Sequence, residues 1–290
     1  MSEVLLERRF LTLQEAADEL GVHYMTAYRY VRLGLMDADK IGGTWKVSPD
    51  AVAAFRAGSV RSPVAAGERA PWSERLESRL VAGDARGAWG VIEAAMAAGK
   101  ELDQVYLEIL TPAMVSIGER WSTGELDIDV DVDIDIAIEH RASAIVMRII
   151  GRIGHRFARR GRARGTVITA APVGENHTLP LAMLSDLLRL EGWEVSNLGA
   201  DLPAKSLGLF VTDTPDVVAV GISVSTEDCL AQLAESCAAV RAVAPKLLVV
   251  AGGRVIRDDD HARSLGADGA ATSGQQMSLL IEEHLATLQK

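Results

Sequence analysis

From Gly165 onward the chain repeats one rhythm, a short β-rich run followed by a segment of helical periodicity. Five such runs are read: Thr166–Ala170, Trp193–Leu198, Asp216–Ile222, Lys246–Ala251 and a weaker one near Asp268–Ala271. Strands joined by helices pair in parallel, and the crossover helices cover both faces of the sheet. The expectation is a flavodoxin-like, Rossmann-type five-stranded parallel sheet. Such a sheet takes its ligands at the carboxyl ends of the strands, beside the point where strand order reverses. That rule singles out Gly174-Glu-Asn-His177-Thr178-Leu-Pro180 after the first strand, Ser223-Val-Ser225 after the third and Gly252-Gly253 after the fourth.

The remaining 164 residues contain no comparable alternation. Thr12 with Glu15 three residues on forms a capping-box signature, and Leu13, Ala16, Ala17 and Leu20 follow at helical spacing. Gly21 stops that helix, and a second runs from about Tyr24 to Leu33. Gly42-Gly43 within Lys40–Val47 reads as a hairpin tip, and Ser48-Pro49 opens a third helix. Helix, tight turn, helix, hairpin, helix describes a winged helix-turn-helix over residues 1–57. Residues 58–72 read as a small, polar linker rich in Pro and Gly. Helical patterns at Ser73–Val81, Ala85–Ala98, Leu102–Trp121 and about Ile134–Ala158 predict a four-helix bundle over 73–160. The fold class is therefore multidomain α and α/β, with the sheet domain at 161–290.

Apolar residues make up 48% of the 290 and charged residues 24%, which fits folded domains with ample cores. Aromatics are only 4%, so Ala, Val, Leu and Ile must fill those cores. The net charge of −10 argues against whole-chain attraction to nucleic acid or anionic membrane, though not against a local basic surface. Cys229 and Cys237 are the two cysteines and match neither a disulfide framework nor a metal spacing. No apolar run reaches membrane-spanning length, and the expected location is the cytoplasm without membrane association.

The three sheet-edge segments resemble the cobalamin-binding domain family, whose motif joins a carboxylate-x-His loop to a Ser-bearing loop and a Gly-Gly pair. Here 42 residues separate Pro180 from Ser223, and 26 separate Ser225 from Gly252. The resemblance implies that His177 is the lower axial ligand of cobalt and that Glu175 orients it. It implies also that Thr178, Ser223, Ser225, Gly252 and Gly253 line the binding region, small residues giving room to the displaced benzimidazole tail. The chemistry suits the residue types. A neutral imidazole is a good cobalt ligand, and a neighbouring carboxylate fixes its tautomer. The chain departs from the family at Glu175, where Asp is usual, at Pro180, where Gly is usual, and at Ser225, where Leu is usual. A nucleotide-free flavodoxin-like domain, with His177 merely capping a helix, is the competing reading.

The whole order of domains resembles MerR-like cobalamin-binding transcriptional regulators of the CarH photoreceptor type. In that family a cap Trp and a Glu-His pair lie over the upper ligand, and Trp121 with Glu139-His140 look like those elements. Glu139 follows Trp121 by 18 residues, eight more than in the family. The intervening Asp127–Asp135 segment alternates Asp with aliphatic residues, which is strand periodicity, so an acidic edge ribbon or lid is expected there. It lacks the glycine of a calcium-binding EF-hand loop. Ser122 stands where the light sensors place a cobalt-capturing His.

The N-terminal unit resembles the MerR and excisionase type of helix-turn-helix. Tyr24, Thr26, Arg29 and Tyr30 would face the major groove, and Arg32, Lys40 and Lys46 the phosphates. Residues 1–60 hold seven Lys or Arg against eight Asp or Glu, so one copy should bind double-stranded operator DNA weakly. A homo-oligomer, dimer or tetramer, would compensate through effective concentration. Arg148, Arg152 and Arg156 recur every four residues and, with Arg159, Arg160, Arg162 and Arg164, form a basic stretch, read chiefly as a solvated face and linker.

The expected function is a cobalamin-dependent, light-responsive transcriptional regulator, not an enzyme. The implied cofactor is cobalamin, in the adenosyl form, and a second, linear tetrapyrrole chromophore stays open. The alternatives are a light-independent cobalamin sensor and a corrinoid methyl-carrier protein. The methyl carrier gives no role to Thr12–Phe55.

Overall fold

The computed structural model describes residues 10–22, 24–32, 36, 38–41, 44–56, 71–122, 132–158 and 161–288. They fall in two compact units, Met1–Ile145 and Val146–Lys290.

The first unit opens with β1 (Leu11–Thr12), α1 (Leu13–Leu20), α2 (Tyr24–Arg32), β2 (Ala38–Ile41), β3 (Thr44–Val47) and α3 (Pro49–Arg56). The capping box forms as expected. Thr12 Oγ1 accepts from the Glu15 N–H at 3.2 Å, and Glu15 Oε2 accepts from the Thr12 N–H at 2.7 Å. Gly21 ends α1 at φ 65°, a left-handed conformation that glycine adopts without a Cβ penalty. The antiparallel ribbon runs in the order β1-β3-β2, and Ile41 pairs with Thr44. That register suits a two-residue tip, although Gly42-Gly43 lie outside the described residues. Ala16, Ala17, Ala27, Val47 and Val52 are buried and make this domain's core.

The helical region comprises α4 (Trp72–Val81), α5 (Ala85–Ala97), α6 (Leu102–Gln104), α7 (Thr111–Ser122) and α8 (Val132–Ile153). Buried Leu76, Leu80, Ile92, Tyr106, Ile109 and Ile117 fill it. Three expectations are corrected. Trp72 is the first residue of α4, not the end of a linker, because Pro71 stands before it at the helix start. The Leu102–Trp121 stretch is not one regular helix. Val105–Leu110 form a π-turn, in which the Thr111 N–H reaches back to the Tyr106 carbonyl. Pro112 follows without an N–H to donate, so a regular ladder could not have continued through it.

The alternating segment supplies the third correction. Its described part, Val132–Asp135, is helical and not an edge ribbon, and the same helix, α8, runs on through Glu139-His140. The cause lies downstream. Ala142, Ile145, Val146, Ile149, Ile150 and Ile153 are buried at helical spacing, and a helix anchored by them extends towards its amino end at one bond per residue. Residues 123–131 lie outside the described residues.

The second unit holds β4 (Thr166–Ala170), α9 (Leu179–Leu190), β5 (Glu194–Asn197), α10 (Ala204–Asp213), β6 (Val217–Ser223), α11 (Leu230–Val243), β7 (Leu248–Gly252), α12 (Asp259–Ser264), β8 (Gly269–Ala270) and α13 (Gly274–Leu288). The strands pair in parallel in the order β5-β4-β6-β7-β8. Leu188 of α9 and Met277 and Ile281 of α13 cover one face, with Val167, Ala219 and Val250. Leu207 of α10, Leu233 and Val240 of α11 and Ala262 of α12 cover the other, with Ile168, Val220 and Val249. The chain after β4 leads to one face and the chain after β6 to the other, so strand order reverses between these two strands. Cys229 and Cys237 are both buried and free. Burial, with Asp268 nearby and despite Arg241, raises the Cys237 thiol to about 11.

Candidate corrinoid and DNA sites

The loop Ala171–Thr178 leaves β4 at the reversal point. Its central feature is a carboxylate–imidazole pair, with His177 Nδ1 and Glu175 Oε1 2.5 Å apart. Glu175 is 1% exposed, yet its acceptors are served by more than the ring. Oε1 also takes the His177 N–H at 3.0 Å, and Oε2 takes the Ser225 N–H at 2.5 Å from the loop after β6. Burial resists ionisation of Glu175. The bonds from the His177 ring and from the Ser225 and His177 main chain, together with the His177 charge, outweigh it and lower the carboxyl from 4.5 to about 2. An ionised carboxylate only accepts, so the Nδ1 nitrogen carries the shared proton and Nε2 is the nitrogen suited to meet a metal. The His177 side chain is 55% exposed, so a buried carboxylate holds an imidazole that faces outward.

The other sheet-edge residues take specific places. Ser223 ends β6, is buried, and pairs in register with Gly252 at the end of β7. Ser225 contributes its main-chain N–H to Glu175, a role that sequence spacing does not show. A Cβ on Gly253, whose φ is 105°, would lie 2.1 Å from the Val224 carbonyl oxygen, and one on Gly252 2.8 Å from that of Ala271. Close approach of neighbouring loops is thus reason enough for the Gly-Gly pair. Thr178 is exposed at the start of α9, without a side-chain capping bond. Pro180 occupies the first turn of α9, where its missing N–H costs no helical bond.

One residue escaped the sequence reading. Asp201, after β5, accepts the Gly174 N–H on Oδ1 at 2.9 Å and donates its own N–H to the Glu175 carbonyl at 3.0 Å. Only its place at a strand's carboxyl end, in Gly199-Ala-Asp201, pointed to it.

In the first unit, Glu139 accepts from Ser143 Oγ at 2.7 Å, and exposed His140 lies with Nε2 3.7 Å from Glu139 Oε2. Trp121 and Ser122 close α7, and the Trp121 side chain lies outside the described residues. Asp127, Asp129 and Asp131 lie outside them too, while Asp133 and Asp135 fall within α8.

The helix-turn-helix places Thr26, Arg29 and Arg32 on α2 and Lys40 on β2, their side chains lying outside the described residues. Tyr24 and Tyr30 are half-buried against the domain core, and the Tyr30 ring packs on Phe55 at 4.4 Å between centroids. Part of each ring therefore serves packing and not the groove. Lys46 sits on β3 opposite Asp39. In the second unit, Arg148, Arg152, Arg156 and Arg162 are exposed, and Arg159 and Arg160 lie outside the described residues. Arg164 is structurally engaged. It stacks 4.2 Å over the Trp193 ring and pairs with Glu282 at 2.7 Å.

Among the described residues no helix is long and apolar enough to cross a membrane. No cluster of three or more His, Cys, Asp or Glu able to hold a metal ion occurs among them either.

Comparison with known proteins agrees with these features. Residues 165–277 match the family model described as the B12 binding domain, residues 72–154 match a second model of the same description, and residues 10–59 match a helix-turn-helix domain. The chain carries a helix-turn-helix domain and a B12 binding domain.

Two relatives in Myxococcus xanthus share parts of it. The HTH-type transcriptional repressor CarA is 34% identical over 146 residues, 49% of this chain and 49% of CarA. The HTH-type transcriptional repressor CarH is 30% identical over 171 residues, 57% of this chain and 54% of CarH. The chain therefore spans about half the length of these relatives in the matched region. The monomethylamine corrinoid protein of Methanosarcina barkeri shares the fold at a TM-score of 0.60 and 16% identity, over 73% of this chain and 97% of that one.

Proposed function

We propose that the protein is a cobalamin-dependent DNA-binding regulator and not an enzyme. The observation that supports this best is the Glu175–His177 pair, at the strand-order reversal of a B12 binding domain in a chain that also carries a helix-turn-helix. The residues fit the group. His177 would hold the cobalt from below through Nε2. Glu175 would keep the imidazole in that tautomer, and Ser223, Ser225, Thr178, Gly252 and Gly253 would border the tail. When bound, the corrinoid would supply a cobalt–carbon bond whose loss changes the ligand's shape. The protein's own part is to orient the imidazole and to keep the Glu175 proton off near neutral pH.

The adenosyl form, with Trp121, Glu139 and His140 near its upper side, belongs to the same proposal, as do light sensitivity and control of a homo-oligomer. The near balance of charge over residues 1–60 favours an oligomer, since one copy gains little from phosphates. Operator DNA would be met by α2 through Thr26 and Arg29, with Tyr24 and Tyr30 at its edge, and by Arg32, Lys40 and Lys46 at phosphates. CarA and CarH are named repressors, and we take repression as the sign. Ligand chemistry would then bias a two-state assembly.

A second reading, a cobalamin sensor without photochemistry, is favoured by Ser122, whose hydroxyl is a poor cobalt ligand. Full-length protein loaded with adenosylcobalamin in darkness, then illuminated, separates the readings by particle mass and operator affinity. A change in both supports light control. Ligand-dependent DNA binding that ignores light selects the sensor, and no corrinoid uptake at all removes both.

A further inference from the structure

The His177 loop is held from two sides. On one side Ser225 donates to the Glu175 carboxylate. On the other, the loop after β5 runs alongside it. The Ala171 N–H donates to the Gly199 carbonyl at 2.9 Å, and the Leu202 N–H donates to the Ala171 carbonyl at 3.0 Å. Pro172 and Leu202 form a parallel bridge beyond the ends of β4 and β5. Asp201 closes the set with a reciprocal pair around the Gly174–Glu175 peptide, accepting from the Gly174 N–H and donating to the Glu175 carbonyl.

Asp201 does this at φ 56°, in the left-handed region. Non-glycine residues rarely adopt it, and Asp is among those that tolerate it best. Glycine would reach that conformation more easily but has no carboxylate to accept from Gly174. A strained backbone is kept where the surrounding structure demands it, and such residues gather at functional sites. The carboxylate is exposed, so its bond to Gly174 adds nothing to a core. What it fixes is the peptide that carries Glu175, and Glu175 fixes the imidazole.

We infer that Asp201 is a positioning residue for His177, setting the direction of the imidazole towards cobalt through the Gly174–Glu175 peptide. This rests on the cobalamin reading above. Outer partners of a metal ligand typically contribute about 10–100-fold in metal affinity, and Asp201 acts one step further out.

The test uses full-length D201G and D201N beside wild type and H177A. D201G relieves the backbone and deletes the acceptor, whereas D201N retains an acceptor oxygen and tolerance of the left-handed region. With unchanged melting temperature, D201G is expected to bind cobalamin about tenfold more weakly, with part of its absorption spectrum shifted towards the form without imidazole on cobalt. D201N should keep the wild-type spectrum. In the corrinoid-free protein, amide exchange at Gly174 should quicken in D201G and not in D201N. A D201G protein with wild-type affinity, spectrum and Gly174 exchange would overturn the inference. If D201G is poorly folded, D201N decides on the same readouts, and loss of imidazole ligation with a stable fold in that variant overturns it as well. Failure of the cobalamin reading shows separately, as an H177A spectrum identical to wild type.

Discussion

The α/β unit and the N-terminal helix-turn-helix build their functional surfaces differently. Around His177 the main chain does the positioning. N–H groups of Ser225 and His177 converge on one buried carboxylate, the Asp201 N–H holds the adjoining carbonyl, and glycine at 253 lets the loop after β7 approach the Val224 carbonyl. On the helix-turn-helix the scaffold is equally regular, but contact with DNA would depend on side chains projecting from α2 and the ribbon. A site held by main-chain donors shows in the sequence only through the side chains those donors hold, Glu175 and His177. A site made of projecting side chains writes only residue types on a face, and Tyr30 shows how such a residue can be claimed by packing instead.

The largest test of this contrast is at Gly253. The G253A variant must move the Val224 carbonyl and hold a positive φ, so a loss of more than about 2 kcal/mol in unfolding free energy is expected. Thermal or urea unfolding of the second unit measures it, and a loss below about 0.5 kcal/mol would deny the close approach its importance.

Next is E175Q. Corrinoid affinity should fall about 10–100-fold while operator binding of the cofactor-free protein stays the same. Stability should respond to pH as well. The folded carboxyl titrates near 2 against an ordinary 4.5, so its contribution is complete above pH 4.5 and is lost as pH falls towards 2. E175Q should flatten that part of the stability–pH curve, and an unchanged slope would place the acid sensitivity elsewhere.

Two smaller effects belong to the other region. T12A removes the capping box and should cost about 1 kcal/mol, confined to the helix-turn-helix and read by calorimetry, with corrinoid affinity unaltered. K46A should weaken DNA binding evenly across sequences and reduce the salt slope by about one. A sequence-selective loss would make Lys46 a base reader and not a phosphate contact.

Much of the fold was legible from residues alone. β4 falls where its run of β-forming residues placed it, and the other four strands differ from expectation by one or two residues at their ends. Thr12, Glu15 and Gly21 announced α1 because caps are local chemistry. The misses have physical causes. Val132–Asp135 alternates like a strand but continues a helix anchored by buried Ile145, Ile149 and Ile153. The π-turn before Pro112 depends on how the ladder accommodates a missing donor. The resemblance to a known motif singled out Glu175 and His177 and implied the pairing that the structure forms between them. The Ser225 N–H and Asp201 were not, since a main-chain donor carries no residue signature and Asp201 meets Gly174 only through the pairing of β4 with β5.

The central claim is that the His177 imidazole is the ligand beneath cobalt. Electron paramagnetic resonance of the reduced, Co(II) corrinoid bound to protein labelled with nitrogen-15 histidine tests it most directly. Coupling to one histidine nitrogen predicts that the triplet splitting of unlabelled protein becomes a doublet, and that H177A abolishes the change. A triplet that persists in labelled protein, as the corrinoid's own base would give, contradicts it.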